Sequence, residues 1–199
     1  MAEKQTQMGL LWYHDHYVIK RKALRLVDQY WIEDQNGIKL AYSKQKFWKI
    51  KEDIRVFTDE SMTQGLFRIL QAQIIDVWGK FDVIDSATNI PLGYFRRKGL
   101  KSAFISDEWE IYDINDQMIG RLAEGTVRGL ARKYAPGGKL IPEKITMELN
   151  GEPVVQIEQR FKIIGDIWDI KCHSLPDQFD RRVLLGGVIL MAMIERQRK

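Results

Sequence analysis

Apolar and polar residues alternate with a period of two over much of this chain. The pattern is cleanest at Val155–Ile163. There Val155, Ile157, Phe161 and Ile163 share one face, and Gln156, Glu158, Arg160 and Lys162 share the other. Phe81 and Val83 likewise oppose Lys80 and Asp82, and Trp109 and Ile111 oppose Glu108 and Glu110. Trp168, Ile170 and Cys172 oppose Asp169 and Lys171. One dry and one wet face per strand predicts an antiparallel sheet. The phase slips near Gln45–Phe47, where Lys44 and Lys46 share parity with Trp48 and Ile50, so a bulge or strand break is expected there.

Four passages repeat one grammar: an aromatic-rich strand, an acidic turn and a Gly-containing return. They are Tyr30–Ala41, Lys80–Gly93, Glu108–Gly120 and Ile145–Gln156. Asn36-Gly37 and Asn150-Gly151 tolerate positive φ, and each passage reads as a hairpin. The pattern predicts eleven or twelve strands, near 17–20, 24–33, 38–45, 47–58, 65–75, 78–85, 91–98, 107–113, 117–124, 143–149, 153–163 and 166–173. One short helix is expected at Thr126–Tyr134, stopped by Pro136-Gly137-Gly138.

Val183–Ile194 breaks the alternation, for it holds no polar side chain. Asp177 is the expected N-cap, with Asp180 in the first turn. Twelve apolar residues make about 18 Å of helix, whereas a bilayer core needs about 20 residues. The run is too short to span, and its all-round apolarity requires burial on every side. A sheet of about twelve strands closes into a barrel too wide for its own side chains to fill. A helix is about 10 Å across and fits that lumen. Gly186-Gly187 would let it pass close to the wall. The expected fold is therefore mainly β: a closed antiparallel barrel of about twelve strands around a central hydrophobic C-terminal helix, with one further short helix.

The chain of 199 residues, 45% hydrophobic and 29% charged, fits one domain with a sizeable core. Met1–Gly9 reads as a loose leader, and residues 10–199 as a single domain. Its single cysteine rules out an internal disulfide framework and fits a reducing compartment. A cytoplasmic location, peripheral to a membrane where it meets one, is the expectation. Net charge is +4, but nine Lys/Arg against three Asp/Glu lie between Lys20 and Lys51. That local excess suits an anionic partner.

Gly79–Lys98, Trp109–Leu122 and the apolar helix Val183–Ile194 together resemble the tubby C-terminal-like superfamily, in its LURP-one-related and phospholipid-scramblase-like branch. The resemblance covers most of residues 20–195. It implies a twelve-stranded barrel around a central helix, and a binding module meeting phosphoinositide or other anionic headgroups. The tubby phosphoinositide-binding basic motif, the scramblase Cys-rich and Pro-rich segments and a calcium loop have no counterpart here.

The residues offer few enzymatic constellations. His14-Asp15-His16 lacks obvious further metal ligands, with His173 far along the chain. Cys172 and His173 would point to opposite faces of a strand and cannot pair as nucleophile and base. Pro136-Gly137-Gly138-Lys139 lacks P-loop spacing, and no G-x-S-x-G or H-E-x-x-H occurs. Glu108 and Glu110 share an exposed strand face across Trp109 and are a carboxylate pair that glycoside chemistry could use. The candidate binding residues are basic: Arg96, Arg97, Lys98 and Lys101 in one turn, and Lys44, Lys46, Lys49 and Lys51 in a second patch. The expectation is a non-enzymatic module with no cofactor, no catalytic residue and no metal site. Its expected partner is an anionic lipid surface in preference to nucleic acid, met without transmembrane insertion. A fatty-acid carrier and a hydrolase are the alternatives.

Overall fold

The computed structural model describes residues 14–24, 26–46, 53–71, 79–97, 108–125, 129, 134, 137, 141–162 and 165–197. The expected leader lies outside them, as does most of the expected helix at Thr126–Tyr134. Of the latter, Gly129 and Tyr134 are helical, and the Gly129 N–H donates to the Gly125 carbonyl at 2.9 Å.

Twelve strands form the wall. They are β1 (His16–Ala23), β2 (Val27–Asp34), β3 (Lys39–Lys46), β4 (Ile54–Phe57), β5 (Gly65–Gln71) and β6 (Lys80–Asp85). There follow β7 (Pro91–Arg97), β8 (Glu108–Tyr112), β9 (Met118–Glu124), β10 (Lys144–Leu149), β11 (Glu152–Phe161) and β12 (Asp166–Cys172). Each strand pairs antiparallel with its neighbours in chain order, and β12 returns to β1 to close the barrel. Of the stretch where the phase slip is expected, Gln45 and Lys46 pair with Asp28 and Val27 in unbroken register, and Phe47 lies outside the described residues.

The alternation places Tyr17, Ile19, Tyr30, Ile32, Phe67 and Phe95 in the lumen, each at most 1% exposed. Phe161 departs from the expectation, since it is exposed at the rim. Two residues earlier on the same face is Gln159, which points inward, donates to Asp166 Oδ2 at 2.9 Å and accepts from the Glu143 N–H at 3.2 Å. The lumen ends in polar groups.

The axis is α1 (Arg181–Gln197), and its residues from Val183 to Met193 are buried. The cap is Asp180, not Asp177. Pro176–Phe179 closes a turn of its own, with the Phe179 N–H on the Pro176 carbonyl at 3.0 Å, so the helix starts later. Asp180 Oδ1 then accepts the Arg182 N–H at 2.9 Å. The two expected close-approach glycines differ. A Cβ on Gly187 would lie 2.6 Å from Phe95 Cζ and 3.1 Å from Leu122 Cδ1, whereas one on Gly186 would meet nothing nearer than 3.5 Å.

Buried ion pairs pin α1 to the wall at both ends. Arg182 bonds to Asp180 at 2.8 Å and to Asp85 at the end of β6. Arg21 of β1 is ion-paired with Asp166 of β12 at 2.9 Å and donates to the Ala192 carbonyl at 3.2 Å.

Five hairpins share the rim at the helix N-terminus: β2–β3, β4–β5, β6–β7, β8–β9 and β10–β11. Each shifts register beside its turn. The residue left out of the ladder is Leu40, Leu66, Leu92, Ile119 or Val154, apolar every time. Leu66 and Val154 are in the core, and the other three pack against it. A bulge re-aims a side chain, and here it folds apolar residues over the mouth of the barrel. Asp34, Asp85 and Asp113 order three of these turns, each accepting two backbone N–H groups at 2.6–2.9 Å. For Asp34, burial works against the charge, but the Ile38 and Asn36 N–H groups outweigh it and hold the carboxyl below the usual range.

Candidate functional site

The expected basic turn does not assemble as a unit from Arg96 and Arg97. Both belong to β7, so they take opposite faces. Arg96 is on the outer wall, in register with Lys80 on one side and Glu110 on the other, 5.8 Å from the Tyr112 ring. Arg97 is half-buried, in register with Trp109 and 5.9 Å from its ring. Lys98 and Lys101 lie outside the described residues. In the second patch, Lys44 is exposed on β3 and Lys46 ends that strand; the Lys46 side chain, Lys49 and Lys51 are outside the described residues.

Register brings together a different basic group. Lys22 of β1 is opposite Gln29 of β2, and Gln29 is opposite Lys44 of β3. Ser43 pairs with Val56, so the next step along that ladder sets Lys44 beside Arg55 of β4. Arg55 is opposite Arg68 of β5. Lys22, Lys44, Arg55 and Arg68 therefore form one transverse row across five neighbouring strands of the outer wall. Arg55 is paired with Asp53 at 2.6 Å, and Arg68 donates to the Asn89 side chain. Lys22 and Lys44 have no acidic partner among the described residues.

An aromatic row runs beside it. Trp31 and Tyr42 are 5.5 Å apart, and Gln29 links the two rows by donating to the Tyr42 hydroxyl at 2.8 Å. Glu60 reaches over from the β4–β5 turn to accept from Trp31 Nε1 at 2.8 Å and from Lys39 Nζ at 2.6 Å. Trp31, Tyr42, Lys39 and Glu60 line a shallow groove with Ala41, Thr58 and Ser61.

The rest of the wall is largely neutralised. Lys80 pairs with Asp82 at 3.2 Å and sits 4.0 Å from the Tyr94 ring, which stacks on Tyr112 at 4.7 Å. Burial, with Asp116 beside its hydroxyl, pushes Tyr94 up to about 12. Arg121 bridges Glu148 at 2.8 Å and Glu108 at 3.7 Å, and Lys144 meets Glu158 at 2.5 Å. Even within the basic first quarter, Lys20 is paired with Glu33, Lys39 with Glu60, and Arg21 is spent inside the lumen.

The other candidates are also placed. His16 bonds to Asp169, and His14 packs edge-on to Tyr17 at 5.8 Å. Cys172 faces the core, where burial pushes its thiol up to about 11, while His173 is exposed. Glu110 accepts the Tyr112 hydroxyl at 2.9 Å. Among the described residues no cluster of His, Cys, Asp and Glu could hold a metal. None of the helices there is long and apolar enough to cross a membrane. The lumen a fatty-acid carrier would need is filled by α1.

A family model described as LURP-one-related matches residues 39–198. The chain belongs to the LURP-one-related family. That family is part of the tubby-like superfamily, in keeping with the barrel and its axial helix. The matched region begins at the first residue of β3, so β1 and β2, which close the LURP-one-related barrel, precede it. No curated protein matches the chain.

Lys22, Arg55 and Arg68 were not among the sequence candidates. Each lies opposite in parity to core positions of its strand, which marks it as outward. Only strand register puts residues as remote as Lys22 and Arg68 into one row.

Proposed function

We propose that this LURP-one-related chain is a non-enzymatic binding module that meets anionic phospholipid headgroups through the outer wall of β1–β5. The observation that carries the reading is the transverse row Lys22, Lys44, Arg55 and Arg68. Elsewhere on the described wall several basic side chains are paired with acids, as Lys80 is with Asp82, Arg121 with Glu148 and Lys144 with Glu158. Here two lysines have no acidic partner among the described residues, next to an aromatic row. Lysine and arginine at this spacing can share the oxygens of neighbouring phosphates. An exposed row of this kind acts mainly through long-range attraction and is screened by salt.

The test is co-sedimentation with vesicles of phosphatidylcholine alone or doped with an anionic phospholipid. Binding is expected to the anionic vesicles only, to fall as salt is raised, and to be lost in Lys22→Glu/Lys44→Glu. Equal sedimentation with both vesicle types, or an unaffected double variant, overturns the reading. Charge reversal at exposed positions leaves the fold intact, which an unchanged melting temperature verifies.

A further inference from the structure

We infer that the rim at the N-terminal end of α1 is a docking surface for a basic protein segment carrying apolar side chains. This surface is the end of the barrel, distinct from the Lys22–Lys44 end of the β1–β5 row, and meets that row where Arg68 donates to Asn89 beside Ile90. Four consecutive hairpins expose a large apolar residue at this rim: Ile38, Met62, Ile90, and Ile114 with Met118. Their exposures run from 40% to 65%. Single exposed apolar residues are ordinary on any surface. Recurrence at all four hairpins of this rim from β2 to β9 is a pattern, with tips two strands, or about 10 Å, apart.

The tips are built, not left over. Beside each turn the bulge sends one apolar residue into the mouth of the barrel. Leu40 is tucked in while Ile38 stays out, and Leu92 is tucked in while Ile90 stays out. The Asp34, Asp85 and Asp113 carboxylates fix their loop backbones, so docking orders little that is not already ordered.

Charge selects the occupant. The turns of this rim and the segments leading into β1 and α1 expose Asp15, Asp59, Glu60, Asp116, Glu152 and Asp177. Against these six acids stand Lys39, which is paired with Glu60, and the Arg68 guanidinium, which reaches the β6–β7 turn at Asn89. An anionic bilayer is repelled by such a rim. A helix or strand presenting lysine or arginine around a few leucine-like residues is complementary to it in both respects.

The test uses the full chain and two fluorescent helix-forming peptides, one of leucine and lysine and its counterpart of leucine and glutamate. Anisotropy is read near physiological ionic strength. The lysine peptide is expected to bind and the glutamate peptide to fail. Ile38→Ser/Ile90→Ser/Ile114→Ser should weaken binding at least about tenfold with every acid retained. Asp116→Asn/Glu152→Gln should weaken it with every tip retained. Lys22→Glu/Lys44→Glu should leave it no weaker, so failure here and failure of the lipid reading are distinguishable. Equal binding by both peptides, no binding by either, or an unaffected triple-serine variant overturns the inference. Vesicle sedimentation or self-association of the native chain that the triple-serine change abolishes overturns it too, by giving the rim to a bilayer or to a second copy.

Discussion

The lumen and the outer wall of this barrel use the same residue types to opposite ends. Inside, Arg182 bonds to Asp180 and Asp85, and Arg21 is ion-paired with Asp166 and donates to a helix carbonyl; all but the partly exposed Asp180 are nearly sealed from solvent. Outside, Lys144–Glu158 and Lys39–Glu60 sit about half exposed in water. Buried charges are tolerable only with every partner in place, and removing one partner strands the other. Exposed pairs are worth about 0–1 kcal/mol, and either partner can be exchanged for a ligand. The inner charges therefore set the position of α1, and the outer ones are free to evolve toward binding.

The strongest way to break the lumen is to add an unpaired charge to it. Val188→Asp should cost about 4 kcal/mol or more and unfold the barrel as a whole. Loss of the far-UV β signal together with the near-UV tryptophan signal would show it. A folded, soluble variant would mean that α1 does not fill the barrel.

A second comparison removes one carboxylate inside and one outside. Asp85→Asn should destabilise by about 3 kcal/mol, because Arg182 is left buried with Asp180 alone. Glu158→Gln should cost less than about 1 kcal/mol. Denaturant titration separates the two. pH sharpens the contrast. Burial disfavours the charge on Asp85, but the Thr88 N–H and hydroxyl and the Arg182 guanidinium outweigh it and hold the carboxyl below the usual range. A depressed folded value stabilises above the unfolded value of about 4 and is lost as pH falls through the folded one. Native protein should lose that contribution on acidification below about pH 4, and Asp85→Asn should lack this part of the acid dependence.

The smallest effect concerns two adjacent glycines. Gly187→Ala drives a methyl into the Phe95 ring and should destabilise by about 1–2 kcal/mol. Gly186→Ala meets only ordinary contacts and should stabilise by up to about 1 kcal/mol, because alanine favours the helix. Opposite shifts in melting temperature would show that the wall constrains α1 at one of the two positions. Equal shifts would remove that distinction.

Architecture was readable from the chain because its determinants are local. Period-two alternation gave each strand, and twelve apolar residues too short for a bilayer gave the axial helix. The candidate surface was read less well, because surfaces are assembled by register. Arg96 and Arg97 are adjacent in the chain yet face opposite ways, while Lys22 and Arg68 are remote and share a row. The five bulges escaped notice for a related reason. Leu40, Leu66, Leu92, Ile119 and Val154 look like ordinary strand residues until the partner strand shows one residue too few. The late helix start was likewise hidden, since Asp177 and Asp180 are both good caps and a tertiary turn decides between them.

The order of the segments along the chain has a consequence for how the protein is made. All twelve strands precede α1, so a ribosome completes the wall before it supplies what fills it. Closure joins β1 to β12, whose His16 and Asp169 are 153 positions apart. Pairings this distant are slow to form. Until α1 arrives, a nascent chain holds an apolar interior with no occupant, the condition in which β-sheet proteins aggregate. Synthesis that stalls before Arg181 should therefore yield a species needing a chaperone, and release of the helical segment should be the step that commits the barrel to close.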